Sequence, residues 1–135
     1  MVEPIVQWRV KFGDSEVQHI HNRAFAVDPP NPTDPWEQWL DRHSLGWVTA
    51  RVDGDLVGFL NVVTDGGVHA WLQDVVVEPE LQGGGIGKTM IDLATKRSAE
   101  AGCEWLHVDF DDDLSPFYFD RCGFRPTSAG LRYLQ

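Results

Sequence analysis

Cysteine is scarce in this sequence, and no apolar run is long enough to cross a membrane. Only Cys103 and Cys122 occur in 135 residues, and they do not form a CxxC pair. A disulfide framework or a structural zinc site is therefore not expected, and the reducing cytoplasm is the default compartment. No apolar stretch approaches the roughly 20 residues of a membrane span. The N-terminus has no basic segment followed by an apolar one, so no secretory signal is predicted.

Basic residues are also few. The chain has 11 Lys and Arg residues against 21 Asp and Glu, which gives a formal net charge of −10. A surface this acidic repels phosphate backbones, so nucleic acid is not an expected partner. The same surface tolerates a cationic partner such as an amine, although acidic surfaces often serve only solubility. The length fits a single domain over residues 1–135.

The pattern of apolar and turn residues predicts a mixed α+β domain built on one sheet. Alternating or continuous apolar runs predict strands at 6–11, 47–52, 56–63, 69–77 and 105–110, with a final extended piece from 124 onward. Helical spacing and capping residues predict helices after Asp14 and at 36–43, 86–101 and 114–122. Four prolines between residues 28 and 35 exclude a helix or a central strand there, so this stretch is predicted to be a loop.

Four glycines fall within five residues, directly after a valine-rich strand and at the start of an amphipathic helix. The strand residues are Val75, Val76 and Val77, and the glycines are Gly83, Gly84, Gly85 and Gly87. Glycine lets a backbone approach a ligand closely, and the first N–H groups of a helix have no internal partner. The helix dipole adds positive potential, and Lys88 can add charge. The pattern predicts a phosphate-binding turn.

Two common nucleotide motifs fail at required positions. Gly87-Lys88-Thr89 fits the end of a Walker A loop, but Gln82 stands where its first glycine belongs. A dinucleotide fingerprint fails because Lys88 or Met90 stands where its last glycine belongs. A tight turn without any ligand needs fewer glycines than this loop contains. The loop is therefore interpreted as a site for a different pyrophosphate ligand.

The segment Gln82-Gly83-Gly84-Gly85-Ile86-Gly87 resembles the [RQ]-x-x-G-x-[GA] signature of the GNAT family of N-acetyltransferases. It follows Val75-Val76-Val77-Glu78-Pro79, which is similar to the strand that precedes this signature in the family. An aromatic helix ending in Gly123-Phe124 and the hairpin strand Leu56-Val57-Gly58-Phe59 also match in order and spacing. The resemblance covers residues 47–124.

The resemblance implies a single GNAT-like domain with a central, mostly antiparallel, twisted sheet of six to seven strands and about four helices. It implies a V-shaped cleft where strand 75–77 splays from strand 105–110. Acetyl-CoA is the implied co-substrate. Its pantetheine would pair with the backbone of Val75–Val77, and its pyrophosphate would lie on the N–H groups from Gln82 to Lys88. An amine would then attack the thioester directly, with a backbone N–H near Val75 polarising the carbonyl.

For the proton donor to the thiolate and for the base that deprotonates the amine, the sequence offers alternatives. In the family, a tyrosine four residues before the Gly-Phe glycine often protonates the thiolate, but here that position is Phe119 and Tyr118 comes one residue earlier. Either an extra residue in the helix brings Tyr118 into this role, or Tyr118 is a packing residue. Asp74 and His69 are candidate bases. Asp74 also suits a structural role, His69 is expected to be exposed, and water is the alternative base.

Carboxylates crowd the end of strand 105–110, at Asp109 and at 111–113. The calcium-loop pattern is absent, so no metal is predicted. Asp112 or Asp113 is expected to cap the next helix, and Asp109 or Asp111 alternatively binds a cationic amine. The expected partner is a small-molecule or peptide amine of unidentified structure. A homodimer through an exposed strand near 131–134 is possible. The alternative function is an acyl-CoA-binding sensor without turnover.

Overall fold

A computed structural model describes residues 3–135 and shows three helices packed on a five-stranded sheet, with two short 3-10 turns and a π-helical segment. The regular elements, in chain order, are β1 (Ile5–Trp8), α1 (Asp14–Ala24), α2 (Trp36–His43), β2 (Ser44–Val52), β3 (Asp55–Thr64), β4 (His69–Val77), α3 (Ile86–Glu100) and β5 (Trp105–Val108). The 3-10 turns are Pro79–Leu81 and Asp112–Leu114, and the π segment is Pro116–Arg121. The predicted α+β class with a single sheet is confirmed.

The sheet has the strand order β1-β2-β3-β4-β5. The first three pairs are antiparallel; tight turns join β2 to β3 and β3 to β4, whereas α1 and α2 lie between β1 and β2. The β4–β5 pair is parallel, since α3 crosses over between these two strands. In residues 3–135 no helix is both long and apolar enough to cross a bilayer.

Two apolar cores lie on opposite faces of this sheet. On one face, α1 and α2 pack on Phe59 and Val76, and Phe12, Val17, Ile20, Trp36 and Leu40 complete that core. On the other face, α3 and the π segment cover Val48, Leu60, Val62, Ala70 and Leu72. Burying each large side chain stabilises the fold by about 1.5–3 kcal/mol. A Cβ on Gly58 would lie 2.8 Å from Met90 Sδ, so glycine there lets α3 approach the sheet closely.

Two strand predictions are wrong. The sheet has five strands in the described residues rather than six to seven, and residues 124–135 form no strand. A strand needs a partner for its backbone, and this C-terminal segment has none; its apolar side chains Leu131, Tyr133 and Leu134 are 83–87% exposed. The first strand also ends at Trp8 rather than Lys11, because Arg9 has a left-handed φ of 58° that breaks the extended backbone.

Candidate functional site

The parallel strands β4 and β5 separate partway along their length. Their pairing runs from His69 opposite Trp105 to Leu72 opposite Val108 and then stops, although β4 continues to Val77. At the same level the β3–β4 register shifts by one residue, and Asp74 takes a left-handed φ of 56°. This is a β-bulge, which bends one strand away from its neighbour. The outer backbone edge of Val75–Val77 therefore pairs with no strand of the described chain.

The opening between the two strands holds a cavity of about 220 Å³. It is lined by residues of β4, of the segment after β5, of the π segment and of the end of α1. These are Phe25, Leu72, Gln73, Asp74, Val75, Val108, Asp109, Phe110, Asp111, Leu114 and Tyr118. Asp74, Val75 and Tyr118 thus meet in one place, as the implied V-shaped cleft requires. We call this space the cleft cavity.

The glycine loop connects β4 to α3 at the edge of this opening. Gly83 and Gly85 take left-handed φ values of 85° and 95°. A Cβ on either residue would meet no atom within 4 Å, so backbone conformation rather than crowding requires glycine there. Gly87 is required by close approach, since its Cβ would lie 3.0 Å from the Phe117 ring. The sequence prediction of a strand-to-helix glycine turn is confirmed.

The N-terminus of α3 has no side-chain cap. Gly85 is the N-cap residue and supplies no side-chain cap, and the first intrahelical bond shown at this end is from Thr89 N to Gly85 O. The N–H groups of Ile86, Gly87 and Lys88 are therefore free to bind a ligand. The first turn contains no acidic residue, so the positive end of the helix dipole is not neutralised. These features fit a pyrophosphate group.

Two side chains at the loop have roles that the sequence did not predict. The Gln82 amide donates a 3.1 Å hydrogen bond to the Val77 carbonyl, which ties the loop to the end of β4. Lys88 was expected to add charge to the phosphate site, but its ammonium lies 2.7 Å from the Asp92 carboxylate one turn along α3. The Asp92 carboxylate raises the pKa of Lys88. Lys88 is therefore engaged by Asp92 in this structure, whereas the first backbone N–H groups of α3 have no partner among the described residues.

The valines of β4 contribute backbone rather than side chains. Val76 is buried at 2% exposure in the core beneath α1 and α2, so its side chain does not reach a ligand in the cleft. Val75 and Val77 pack at the edge of the opposite core, and Val75 lines the cleft cavity. A ligand at this edge would meet backbone groups, as the resemblance implies.

Tyr118 lies in the π segment and faces the cleft cavity. The π geometry appears in the bonds from Cys122 N to Phe117 O, five residues apart, and it adds a residue to the turn. The Tyr118 ring is 5% exposed and stacks on Phe110 at 4.5 Å between ring centroids. Burial raises the pKa of Tyr118 to about 12. Phe119 does not line the cleft cavity; it lines a second cavity beside β5.

Asp74 is held by a residue that the sequence analysis missed. His21 Nε2 lies 3.1 Å from Asp74 Oδ1, across 53 residues of sequence. Because a carboxylate only accepts hydrogen bonds, the imidazole is the donor. The His21 ring packs beside Phe25 and Trp36 at 4.7 and 5.1 Å, and its Nδ1 is buried without a hydrogen-bond partner in the described residues. No spacing rule pairs positions 21 and 74, so only the tertiary fold reveals the contact.

The other candidate residues divide between the cleft cavity and the neighbouring surface. His69 is half-buried rather than exposed, and its Nδ1 lies 2.8 Å from His107 Nε2 on the neighbouring strand. Asp109 and Asp111 line the cleft cavity. Neither Asp112 nor Asp113 caps a helix; Asp111 holds the N-cap position of the 3-10 turn, and its side chain makes no capping bond. Within residues 3–135 no cluster of three His, Cys, Asp or Glu side chains is placed to hold a metal ion.

Comparison with known proteins assigns this chain to a family. Residues 15–124 match the model of the Acetyltransferase (GNAT) family. A mycothiol acetyltransferase of Streptomyces griseus is 34% identical over 104 residues, which cover 72% of this chain and 32% of that protein. An uncharacterised N-acetyltransferase of Porphyra purpurea is 33% identical over 77 residues, covering 57% of this chain and 44% of the relative. The chain therefore spans less than half the length of these relatives.

The fold comparison covers nearly the whole chain. A probable acetyltransferase from meticillin-resistant Staphylococcus aureus superposes with a TM-score of 0.78 at 21% identity, covering 97% of this chain and 99% of that one. At this identity the likeness speaks for the fold alone. Together with the family match over residues 15–124, it shows that this chain belongs to the GNAT acetyltransferase family.

Proposed function

We propose that this chain is an N-acetyltransferase that moves the acetyl group of acetyl-CoA to an amine by direct attack. One observation supports this most strongly. The uncapped N-terminus of α3, the unpaired edge of β4 and the cleft cavity containing Asp74 and Tyr118 adjoin one another. An anion site leading to a strand edge and then to an acid–base pair suits a long ligand with a pyrophosphate at one end and a reactive thioester at the other.

Acetyl-CoA fits the residues present. The free N–H groups from Gly85 to Lys88 would hold its pyrophosphate, and the backbone of Val75–Val77 would pair with its pantetheine. Acetyl-CoA supplies an activated acetyl group as a thioester. The backbone N–H near Val75 is the donor proposed to polarise the thioester carbonyl.

Asp74 and Tyr118 are the proposed acid–base groups. The amine nitrogen bonds to the acetyl carbon and the carbon–sulfur bond breaks, so the nitrogen loses a proton and the sulfur gains one. Asp74 is proposed to accept the proton from the amine, with His21 as a positioning residue that fixes the carboxylate. Tyr118 is proposed to donate to the thiolate. Its pKa of about 12 keeps the phenol protonated near neutral pH, which suits a proton donor.

Turnover and binding can be measured separately. Release of free thiol from acetyl-CoA with a panel of amines tests the enzyme, and calorimetric titration with CoA tests the site. We expect both to be positive. CoA binding without turnover across a broad panel would favour the alternative, an acyl-CoA-binding sensor. Absence of CoA binding would contradict both.

The acceptor is proposed to be a small-molecule or peptide amine. The relation to a mycothiol acetyltransferase supports testing small molecules first. The cleft cavity offers Asp74, Asp109 and Asp111 to an ammonium group, and the net charge of −10 attracts cations from solution. A single domain over residues 1–135 and a cytoplasmic location remain proposals from length and cysteine content.

A homodimer is also proposed, and the structure suggests how it would form. The outer edge of β5 has no partner strand in the described residues, and Trp105 on that strand is 51% exposed. The C-terminal segment exposes Leu131, Tyr133 and Leu134. Unpaired edges of this kind pair with another chain. Light scattering should give twice the chain mass, and the mass of a single chain would contradict the homodimer.

A further inference from the structure

A second and larger cavity, of about 920 Å³, adjoins the cleft cavity. The two share Val108, Asp109 and Phe110 as lining residues. We call the second cavity the outer trough. Its floor is the first half of β4 and β5, on the sheet face opposite α3, because Ala70 and Leu72 point into the α3 core and their neighbours point the other way. The C-terminal segment 124–130 forms the facing wall.

The far end of the outer trough is built from nitrogen-bearing side chains. His69 and His107 are hydrogen-bonded to each other at 2.8 Å, and the Trp71 ring stacks on His107 with centroids 4.8 Å apart. Next to them, the Arg125 guanidinium carbon lies 5.3 Å from the centroid of the Trp105 ring. We call these five residues the donor patch. Arginine and indole side chains only donate hydrogen bonds, so the patch offers donors and a positive charge.

The indole and guanidinium donors of the donor patch form no hydrogen bond or ion pair with the described part of the protein. In the described part of the chain, the indole N–H groups of Trp36 and Trp47 donate to protein oxygens, whereas those of Trp71 and Trp105 do not. Arg23, Arg51 and Arg97 each pair with a glutamate, whereas the other arginines of residues 3–135 pair with no carboxylate, and among these Arg125 lines the outer trough. A guanidinium without a counterion at a cavity wall is available to an anionic group of a ligand.

Charge is therefore distributed unequally along the outer trough. Asp109 lies where the outer trough meets the cleft cavity, and the donor patch lies at the other end. Along β5, His107 and Trp105 precede Asp109 by two and four residues, which corresponds to about 7 and 13 Å at the usual rise of a strand. A ligand with an ammonium group at Asp109 and an anionic group about 7–13 Å away matches this polarity.

We propose that the outer trough binds the distal end of the acetyl acceptor, and that the preferred acceptor is a primary amine carrying a carboxylate or phosphate at the far end. This inference rests on the proposed acetyl transfer in the cleft cavity. Arg125 would hold the anion, because guanidinium matches the geometry of carboxylate and phosphate oxygens. The Trp71 and Trp105 N–H groups would add neutral donors. Asp109 would draw the ammonium toward the cleft cavity.

Two other occupants fit less well. A flat aromatic ligand would have only one face of each indole, because Trp71 already stacks on His107 and Arg125 lies over one face of Trp105. A metal ion would need a third ligand beside the two histidines, and no such cluster of three exists in the described residues. An anionic group would accept hydrogen bonds from Arg125, Trp71 and Trp105, whose donors have no partner in the described residues.

The test compares four acceptors of equal chain length: hexylamine, 1,6-diaminohexane, 6-aminohexanoate and 6-aminohexyl phosphate. Thiol release from acetyl-CoA gives kcat/KM for each. We expect one or both of the anionic acceptors to exceed hexylamine by at least about tenfold, as a charged hydrogen bond allows. The two anionic compounds distinguish carboxylate from phosphate. Equal values for hexylamine and both anionic acceptors, or a preference for the diamine, would overturn the inference.

Variants localise the effect. Arg125→Gln should remove the preference for the anionic acceptor and leave the rate with hexylamine unchanged. Trp71→Phe keeps an aromatic ring but removes the indole N–H, and it should reduce the preference in part. Arg42→Gln is the matched control, because it removes the same charge from an exposed position that does not line the outer trough. A loss equal to that of Arg125→Gln in this control would contradict a local role for Arg125.

A binding measurement separates this inference from the proposed function. If CoA binds but no amine is acetylated, the proposed enzyme activity fails, and the outer trough is then tested by nuclear magnetic resonance of the His69 and His107 ring protons. Shifts on titration with 6-aminohexyl phosphate or 6-aminohexanoate that disappear in Arg125→Gln support the inference. Absence of Arg125-dependent shifts at millimolar ligand overturns it.

Discussion

His21 Nε2 lies 3.1 Å from Asp74 Oδ1, and this contact joins the first helix to the bulge of the central strand at the cleft. Asp74 holds a left-handed backbone conformation that is uncommon for a residue with a Cβ. Such strain persists where the surrounding structure over-determines it, often at functional sites. The contact gives a physical reason why an aspartate occupies this position: its carboxylate lines the cleft cavity while α1 fixes its orientation.

Removing either partner should affect turnover more than cofactor binding. Asp74→Asn is expected to lower kcat/KM by about 10²–10⁴-fold, as for loss of a general base, with unchanged affinity for CoA. His21→Gln should give a smaller loss, because it removes only the positioning contact. The comparison of kcat/KM with CoA affinity is the deciding readout: both variants should lose turnover while they retain CoA binding. A parallel loss of CoA affinity and turnover in both variants would assign the pair to structure.

The hydroxyl of Tyr118 should support turnover at position 118 and not at position 119. Tyr118→Phe is expected to lower kcat by about 10²–10⁴-fold while CoA affinity is retained. Because its pKa is about 12, the wild-type phenol stays protonated through neutral pH, and no loss of activity from its ionisation is expected below that range. Moving the hydroxyl with Tyr118→Phe plus Phe119→Tyr should not restore kcat, since Phe119 lines the outer trough. Restoration would contradict the assignment of Tyr118.

The glycine loop can be tested against a glycine of matched backbone geometry. Gly85 and Gly102 stand at the two ends of α3 with φ values of 95° and 97°, and a Cβ on either would meet no atom within 4 Å. Alanine at each should destabilise the fold by about 1–2 kcal/mol through backbone strain. Only changes at Gly85 should weaken CoA binding, and Gly85→Glu should abolish it by placing a carboxylate at the pyrophosphate site. Unchanged CoA affinity in Gly85→Glu would contradict the proposed role of the loop.

An ion pair between α1 and β2 should contribute to stability above acidic pH. Arg51 bonds the Glu16 carboxylate at 2.6 Å and lowers the pKa of Glu16. A carboxylate with a depressed folded-state pKa stabilises the fold above its unfolded value of about 4.3, and this contribution is lost as pH falls through the folded value. The pair is partly exposed, so Glu16→Gln should cost no more than about 1 kcal/mol at neutral pH.

Urea unfolding at pH 7 and at pH 3 measures this difference. The difference in the free energy of unfolding between wild type and Glu16→Gln should be present at pH 7. It should become smaller at pH 3, because the wild-type carboxyl becomes protonated. Arg97→Gln is the control, since its pair with Glu100 lies on the exposed surface of α3 and joins no other element. A gap for Glu16→Gln that is the same at both pH values would show that charge is not its cause.

Much of this protein follows from the sequence by itself, because the relevant physics is local. The four glycines and the proline after Val75–Val77 determine a strand-to-helix turn, since left-handed backbone at Gly83 and Gly85 favours glycine. Apolar periodicity determines the helices and the three-strand meander. The free N–H groups at the start of α3 follow as well, because every helix leaves its first N–H groups without an internal partner.

Tertiary structure alone decided the rest, because it depends on contacts between residues far apart in sequence. His21 reaches Asp74 only when α1 packs on the sheet, and His69 meets His107 only when β4 and β5 pair in parallel. Tyr118 faces the cleft because the π segment adds a residue to its turn, which no sequence periodicity reveals. The sixth and seventh strands are absent from the described residues because residues 124–135 have no partner for their backbone.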